Sequence, residues 1–253
     1  MRRPIIAGNW KLFKTIPEAL ELVIGLKREL YQIEDKEIVV CPPYTALSEV
    51  AEALNSSNIK LGAQDLFWLD TGAYTGEVSP LMIKDAGCQY VIIGHSERRT
   101  YFQETNETVN KKIKAALKHE LTPIVCIGET LKERQAEQTF KVIQDHLENG
   151  LVDITKEQAL KIVIAYEPVW AIGTGQTATP KQAQEAQAFI RKLLAKKFGQ
   201  EISEEIRILY GGSIKPENMK ELSQQKDIDG GLVGGASLEI NSFVGIVKNC
   251  VVK

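Results

Sequence analysis

Histidine is scarce in this chain: His95, His119 and His146 are the only three among 253 residues. Proton chemistry by imidazole therefore has few candidates. The four cysteines, Cys41, Cys88, Cys126 and Cys250, stand far apart. Their spacing fits neither a metal site nor a disulfide framework, and reduced thiols in a reducing cytoplasm are the expectation. Charge of one sign is also missing. The net charge is −2 with the charges interspersed, so there is no basic footprint for nucleic acid. Any attraction for an anion must be local, made by particular lysines and backbone amides. No apolar run approaches the roughly 18 residues of a membrane span, and the run after Arg2-Arg3-Pro4 is too short for a signal-peptide core. These absences predict a cytoplasmic protein with no membrane or nucleic-acid partner, no metal and no cofactor.

The composition, 43% hydrophobic and 25% charged, is that of an ordinary globular chain. A chain of this length buries roughly 70–75% of its unfolded surface and needs no staple. Short β-branched runs, predicted as strands at 4–10, 37–41, 59–64, 90–94, 122–127, 161–166, 206–210 and 228–233, alternate with helical patterns. The clearest helices are predicted at 16–30, 46–54, 107–117, 140–147, 180–198 and 240–250, and Ser79-Pro80 reads as a cap and first-turn proline. Eight βα units without a linker predict an α/β fold, a single closed (β/α)8 barrel over residues 1–253. An open doubly wound sheet is the runner-up, but Asn9-Trp10-Lys11 stands where its Gly-x-Gly-x-x-Gly turn belongs.

The active site of such a barrel lies at the C-terminal strand ends. The sixth predicted strand ends in Glu167, followed by Pro168 and an uncharged, glycine-bearing stretch that runs to Lys181. An uncharged loop suggests a flap closing over a buried acid, a setting that makes a carboxylate a base. The first strand ends in Asn9 and Lys11, which point the same way if extended geometry continues. The fourth ends in His95, placed before a helix whose dipole disfavours the imidazolium. His119, near a helix end, and His146, mid-helix, read as structural. The seventh and eighth strands end in Gly211-Gly212-Ser213 and Gly234-Gly235, where such barrels bind phosphate. A base, an electrophile, a cation and a phosphate cradle suit proton abstraction next to the carbonyl of a small sugar phosphate, with Lys11 and His95 stabilising the enediolate.

The motifs Asn9-Trp10-Lys11, Gly94-His95-Ser96-Glu97-Arg98, Tyr166-Glu167-Pro168-Val169-Trp170-Ala171-Ile172-Gly173-Thr174-Gly175, Tyr210-Gly211-Gly212-Ser213 and Gly234-Gly235-Ala236-Ser237 resemble the triosephosphate isomerase family, in its order and over the whole chain. The resemblance implies a TIM barrel that interconverts dihydroxyacetone phosphate and D-glyceraldehyde 3-phosphate in glycolysis and gluconeogenesis. It makes Glu167 the base, His95 the electrophile, Lys11 the substrate cation and Asn9 a polar contact; that acid–base pair is the family's established one. It places phosphate on Gly173, Ser213, Gly234 and Gly235, with Ser96 and Glu97 supporting and Ile172 and Leu232 clamping the base. It also implies a homodimer, with a tetramer the alternative, in which Thr75 on the 65–77 loop supports Asn9 and Lys11 of the neighbouring subunit. Two departures stand out: Asp65 replaces the family's usual asparagine, and Gln176 replaces a frequent basic residue.

Three other readings compete. Another aldose–ketose isomerase, epimerase or lyase would need room for a longer sugar phosphate, which an apolar flap directly after Glu167 does not leave. A catalytically silent barrel has no physical need for Asn9, Lys11, His95 and Glu167 together. A hydrolase triad from His95, Ser96 and Glu97 lacks a nucleophile elbow.

Overall fold

The computed structural model describes residues 2–171 and 178–253. Eight parallel strands close into a barrel in sequence order, β1 pairing with both β2 and β8. The strands are β1 (Ile5–Asn9), β2 (Glu37–Cys41), β3 (Ile59–Ala63), β4 (Tyr90–Ile93), β5 (Thr122–Ile127), β6 (Val163–Tyr166), β7 (Arg207–Tyr210) and β8 (Gly230–Val233). Every one falls within its predicted run.

Strand alternation produces two apolar layers. Ile5 and Ala7 of β1, Ile92 of β4, Val163 and Ala165 of β6 and Leu209 of β7 fill the barrel axis. Their neighbours Ile6, Val91, Ile93 and Ile164 pack outward against the helices. Fully burying one such side chain stabilises the fold by ~1.5–3 kcal/mol, so a one-residue slip of any strand would exchange the layers.

The helical shell comprises α1 (Ile16–Leu30), α2 (Leu47–Ala53), α3 (Pro80–Asp85), α4 (Ser96–Tyr101), α5 (Asn106–Lys118), α6 (Leu131–Gln135), α7 (Thr139–Gly150), α8 (Lys156–Ala159), α9 (Pro180–Phe198), α10 (Gln200–Glu205), α11 (Pro216–Ser223) and α12 (Ile240–Asn249). Local signals start several of them. Thr15 and Glu18 form a capping box on α1, and Thr179 and Gln182 form another on α9 beside Pro180. Ser79 Oγ accepts from Met82 N at 3.2 Å, as its cap position predicts. The short helices α4, α6, α8, α10 and α11 are additions to the sequence reading, since they carry too few apolar positions to show a helical stripe. Among the described residues no helix is long and apolar enough to cross a membrane.

All four cysteines are buried and unlinked. One glycine lets two strand ends meet closely. Gly128, just past β5, has φ 159°, and a Cβ built on it would lie 1.8 Å from the carbonyl oxygen of Glu167. We predict that Gly128→Ala loses about 2–4 kcal/mol of stability, from overpacking and backbone strain together; an unshifted thermal midpoint would contradict that packing.

Candidate active site

The C-terminal strand ends surround a cleft of about 260 Å3. Alternation along β6 carries Glu167 onto the same inner face as Val163 and Ala165, where it is 2% exposed. Its Oε1 lies 2.8 Å from His95 Nε2, and its Oε2 accepts from the backbone N–H of Ser96 at 2.9 Å. The carboxylate thus rests on donors at the mouth of β4. Burial alone would raise its pKa, but His95, the Ser96 N–H and Lys11 outweigh burial and hold it below the ordinary carboxylate value.

His95 is the N-cap of α4, and its Nδ1 accepts from Glu97 N–H at 3.2 Å. The proton of a neutral ring therefore sits on Nε2, facing Glu167. Burial pushes the His95 pKa down, yet the neighbouring Glu167 and Glu97 carboxylates more than offset burial and raise it. This modifies the expectation that α4 keeps the ring neutral. The helix end selects the tautomer, whereas the carboxylate resting on the ring sets the direction of the shift.

Asn9 and Lys11 both line the cleft, but not through continued strand alternation. Lys11 has φ 52°, and Asn9 Oδ1 accepts its backbone N–H at 3.1 Å. The turn is held from below by Gln64, whose Nε2 donates to the carbonyls of Lys11 and Cys41, each at 2.9 Å. Lys11 Nζ sits 2.5 Å from Glu97 Oε1, which gives Glu97 its supporting contact.

Ser213, Gly234 and Gly235 line the opposite wall with Leu232. The two glycine pairs differ physically. A Cβ on Gly212 would lie 2.3 Å from Tyr210 Oη, so that glycine makes room for a neighbouring ring. Gly235 has open space where its Cβ would be, and Gly234 has only Lys11 nearby, at 3.4 Å. That backbone is bare toward the cleft and adjacent to a cation, as an anion cradle requires. Ile172, Gly173 and Gln176 lie outside the described residues. Thr75 is exposed on the loop after β3 and does not line this chain's cleft.

Asp65 is 4% exposed. Its carboxylate meets Lys112 Nζ at 2.7 Å and Arg98 Nε at 2.8 Å, and Lys112 also contacts Glu104. Glu104 Oε2 accepts the backbone N–H of Gly94 at 3.1 Å, one residue before His95. Burial, with Glu104 close by, pushes the Asp65 pKa up to about 6 against the pull of Lys112 and Arg98. Asp65, which departs from the family's asparagine, is thus a buried partner three contacts from the backbone N–H of Gly94, next to His95.

Several functional neighbours were not visible as such in the sequence. Gln64 props Lys11. Glu129, fully buried, accepts from Tyr166 Oη at 3.1 Å and Trp170 Nε1 at 2.9 Å, fixing the backbone that leaves Glu167. Lys215 also lines the cleft; its only signal is a cation two residues after Ser213. His119 Nε2 lies 2.7 Å from Asp70 Oδ1. His146 is half-buried, its Nδ1 accepts from Gly128 N–H at 3.4 Å, and burial pushes its pKa down to about 4.

Comparison with known proteins gives one consistent result. The family model described as Triosephosphate isomerase matches residues 4–250. Relatives named Triosephosphate isomerase include those of Endomicrobium trichonymphae (58% identical), Geotalea uraniireducens (60%) and Moorella thermoacetica (59%). Each is aligned over 248 residues, 98% of this chain and 99% of the relative.

The contact between Glu167 and His95 yields a direct prediction. Glu167→Gln removes the carboxylate that raises His95, so the imidazole pKa should fall below its wild-type value in a 15N NMR titration. An unchanged or higher value would show that another group sets the shift.

Proposed function

The chain belongs to the triosephosphate isomerase family, and from that premise we propose how its residues carry the interconversion of dihydroxyacetone phosphate and D-glyceraldehyde 3-phosphate. Glu167 takes a proton from the carbon next to the substrate carbonyl. The C–H electron pair forms the enediolate double bond, and the carbonyl oxygen takes the negative charge. His95 Nε2–H and Lys11 face that oxygen, and such preorganised donors each contribute roughly 2.7–4 kcal/mol to related transition states. Glu167 then returns the proton to the neighbouring carbon, which completes the aldose–ketose exchange without net redox change. The reaction is a step of glycolysis and, in reverse, of gluconeogenesis.

The observation that carries this reading is a carboxylate 2% exposed, held ionised by His95 and the Ser96 N–H. In that resting contact it is a weak base. Moving off those donors toward the substrate leaves burial as its main influence, which strengthens it as a base. The same move removes the largest influence that raises His95, leaving burial and Lys11, opposed by Glu97 alone, to favour a neutral ring. Phosphate is assigned to the bare backbone at Gly234 and Gly235, with Ser213 and Gly173. Asn9 orients Lys11 and contacts the substrate, while Leu232 covers the base; the family's second clamp position, Ile172, lies outside the described residues. No cofactor enters this scheme.

We assign the chain to a homodimer. An apolar groove of about 550 Å3 opens beside Asn9, Lys11 and His95, bordered by Leu12, Phe13, Tyr44, Tyr101 and Phe102. Leu12 is 94% exposed and Tyr101 74% in the isolated chain, which supports burial against a second copy. The partner's Thr75 loop is the proposed occupant, supporting Asn9 and Lys11. The four buried free thiols support a cytosolic location.

Two experiments check this account. Turnover of D-glyceraldehyde 3-phosphate, coupled to reduction of the ketose formed, should be fast in wild type. Glu167→Asp withdraws the carboxylate by one methylene and should lower it on the order of 10²-fold; near-wild-type turnover would remove Glu167 from the base role. Sedimentation equilibrium should give twice the 28.2 kDa chain mass, and a monomer at activity-supporting concentrations would overturn the dimer.

A further inference from the structure

We propose that Lys215 is a steering cation: it draws the substrate's phosphate into the cleft and takes no part in proton transfer. The proposal rests on the isomerase reading of the cleft. Lys215 lines that cleft beside Ser213 and Gly235, is exposed, and immediately precedes α11 at its N-cap.

The charges around the cleft make its role decisive. Lys11 is already matched by Glu97 at 2.5 Å. Glu167 adds a second carboxylate inside the same cleft. Lys11 against Glu97 and Glu167 leaves one net negative charge facing an incoming phosphate, and the whole chain is at −2. The substrate is therefore repelled both locally and at long range unless another cation stands at the entrance. Lys215 is that cation. It lines the cleft, its backbone N–H is held by Asn218 Oδ1 at 2.8 Å, and among the described residues its ammonium makes no ion pair.

An exposed lysine on a flexible stem gives little to a bound complex. It does act on an approaching dianion, because its field extends about a screening length, ~30 Å at 0.01 M salt and ~8 Å at physiological salt. One charge against a dianion across about 8 Å of water changes encounter several-fold at low salt and about twofold at physiological salt. Bound phosphate is held by the bare backbone at Gly234 and Gly235, so kcat is left alone.

The test measures kcat and KM on D-glyceraldehyde 3-phosphate for wild type, K215Q, K215E and the control K220Q, at about 0.01 M and about 0.3 M salt. Lys220 lies on the same helix, is exposed and is not part of the cleft lining. At low salt K215Q should lower kcat/KM about 3-fold and K215E about 10-fold. Both should converge on wild type at high salt with kcat unchanged, while K220Q follows wild type throughout. A salt-independent loss, a lowered kcat, or no loss beyond that of K220Q overturns the proposal. Inorganic phosphate binding, followed by 31P NMR, separates the two readings. Slower phosphate association with K215Q than with wild type at low salt, read from 31P exchange broadening, in a protein that does not turn over triose phosphate, would leave Lys215 standing and overturn the isomerase scheme. Full turnover with association insensitive to Lys215 would overturn the steering role alone.

Discussion

Everything at the top of this barrel depends on keeping one carboxylate both buried and ionised. Glu167 is 2% exposed, a setting that by itself favours the neutral acid. Two donors at the end of β4, the His95 imidazole at 2.8 Å and the Ser96 N–H at 2.9 Å, reverse that preference. Gly128 lets β5 pack against the Glu167 carbonyl, and Glu129 grips Tyr166 and Trp170 on either side of it. The backbone of the base is therefore fixed, while its carboxylate rests on contacts that a substrate oxygen can replace.

The donors are held in turn by groups further out. Glu104 joins the Gly94 N–H to Lys112, and Lys112 and Arg98 are matched by Asp65. Two cations and two carboxylates balance there, as buried charges require. On the other side, Gln64 fixes the Lys11 carbonyl and Asn9 its N–H, which gives a residue at φ 52° a defined backbone. Positioning in this site comes largely from side chains that never reach the cleft.

What the sequence revealed depends on the range of the physics involved. Strand runs are local, so the eight strands and the place of Glu167 at the end of the sixth could be read directly. Asn9, His95 and the glycine pairs were likewise placed by their positions at strand ends. Lys11 reached the cleft by a left-handed turn, which the sequence could not disclose because Gln64, from beyond another strand, supports it. Asp65 could be read only as a departure from the family's asparagine, since its partners lie on α4 and α5, far along the chain. Lys215 stayed hidden because an exposed lysine before a helix is ordinary; only the pairing of Lys11 with Glu97 makes it matter. The small helices α4, α6, α8, α10 and α11 were missed because capping and tertiary packing, rather than an apolar stripe, define them.

The most direct test of the central claim is isomerisation of D-glyceraldehyde 3-phosphate in D2O with EDTA present, comparing wild type and Glu167→Gln by mass and proton NMR. Proton transfer through the Glu167 carboxyl predicts that the receiving carbon carries the substrate's own hydrogen, or deuterium where the carboxyl has exchanged with solvent, and that conversion and exchange are both lost in the variant. A variant that converts and exchanges at the wild-type rate would contradict the role of Glu167 as the proton carrier.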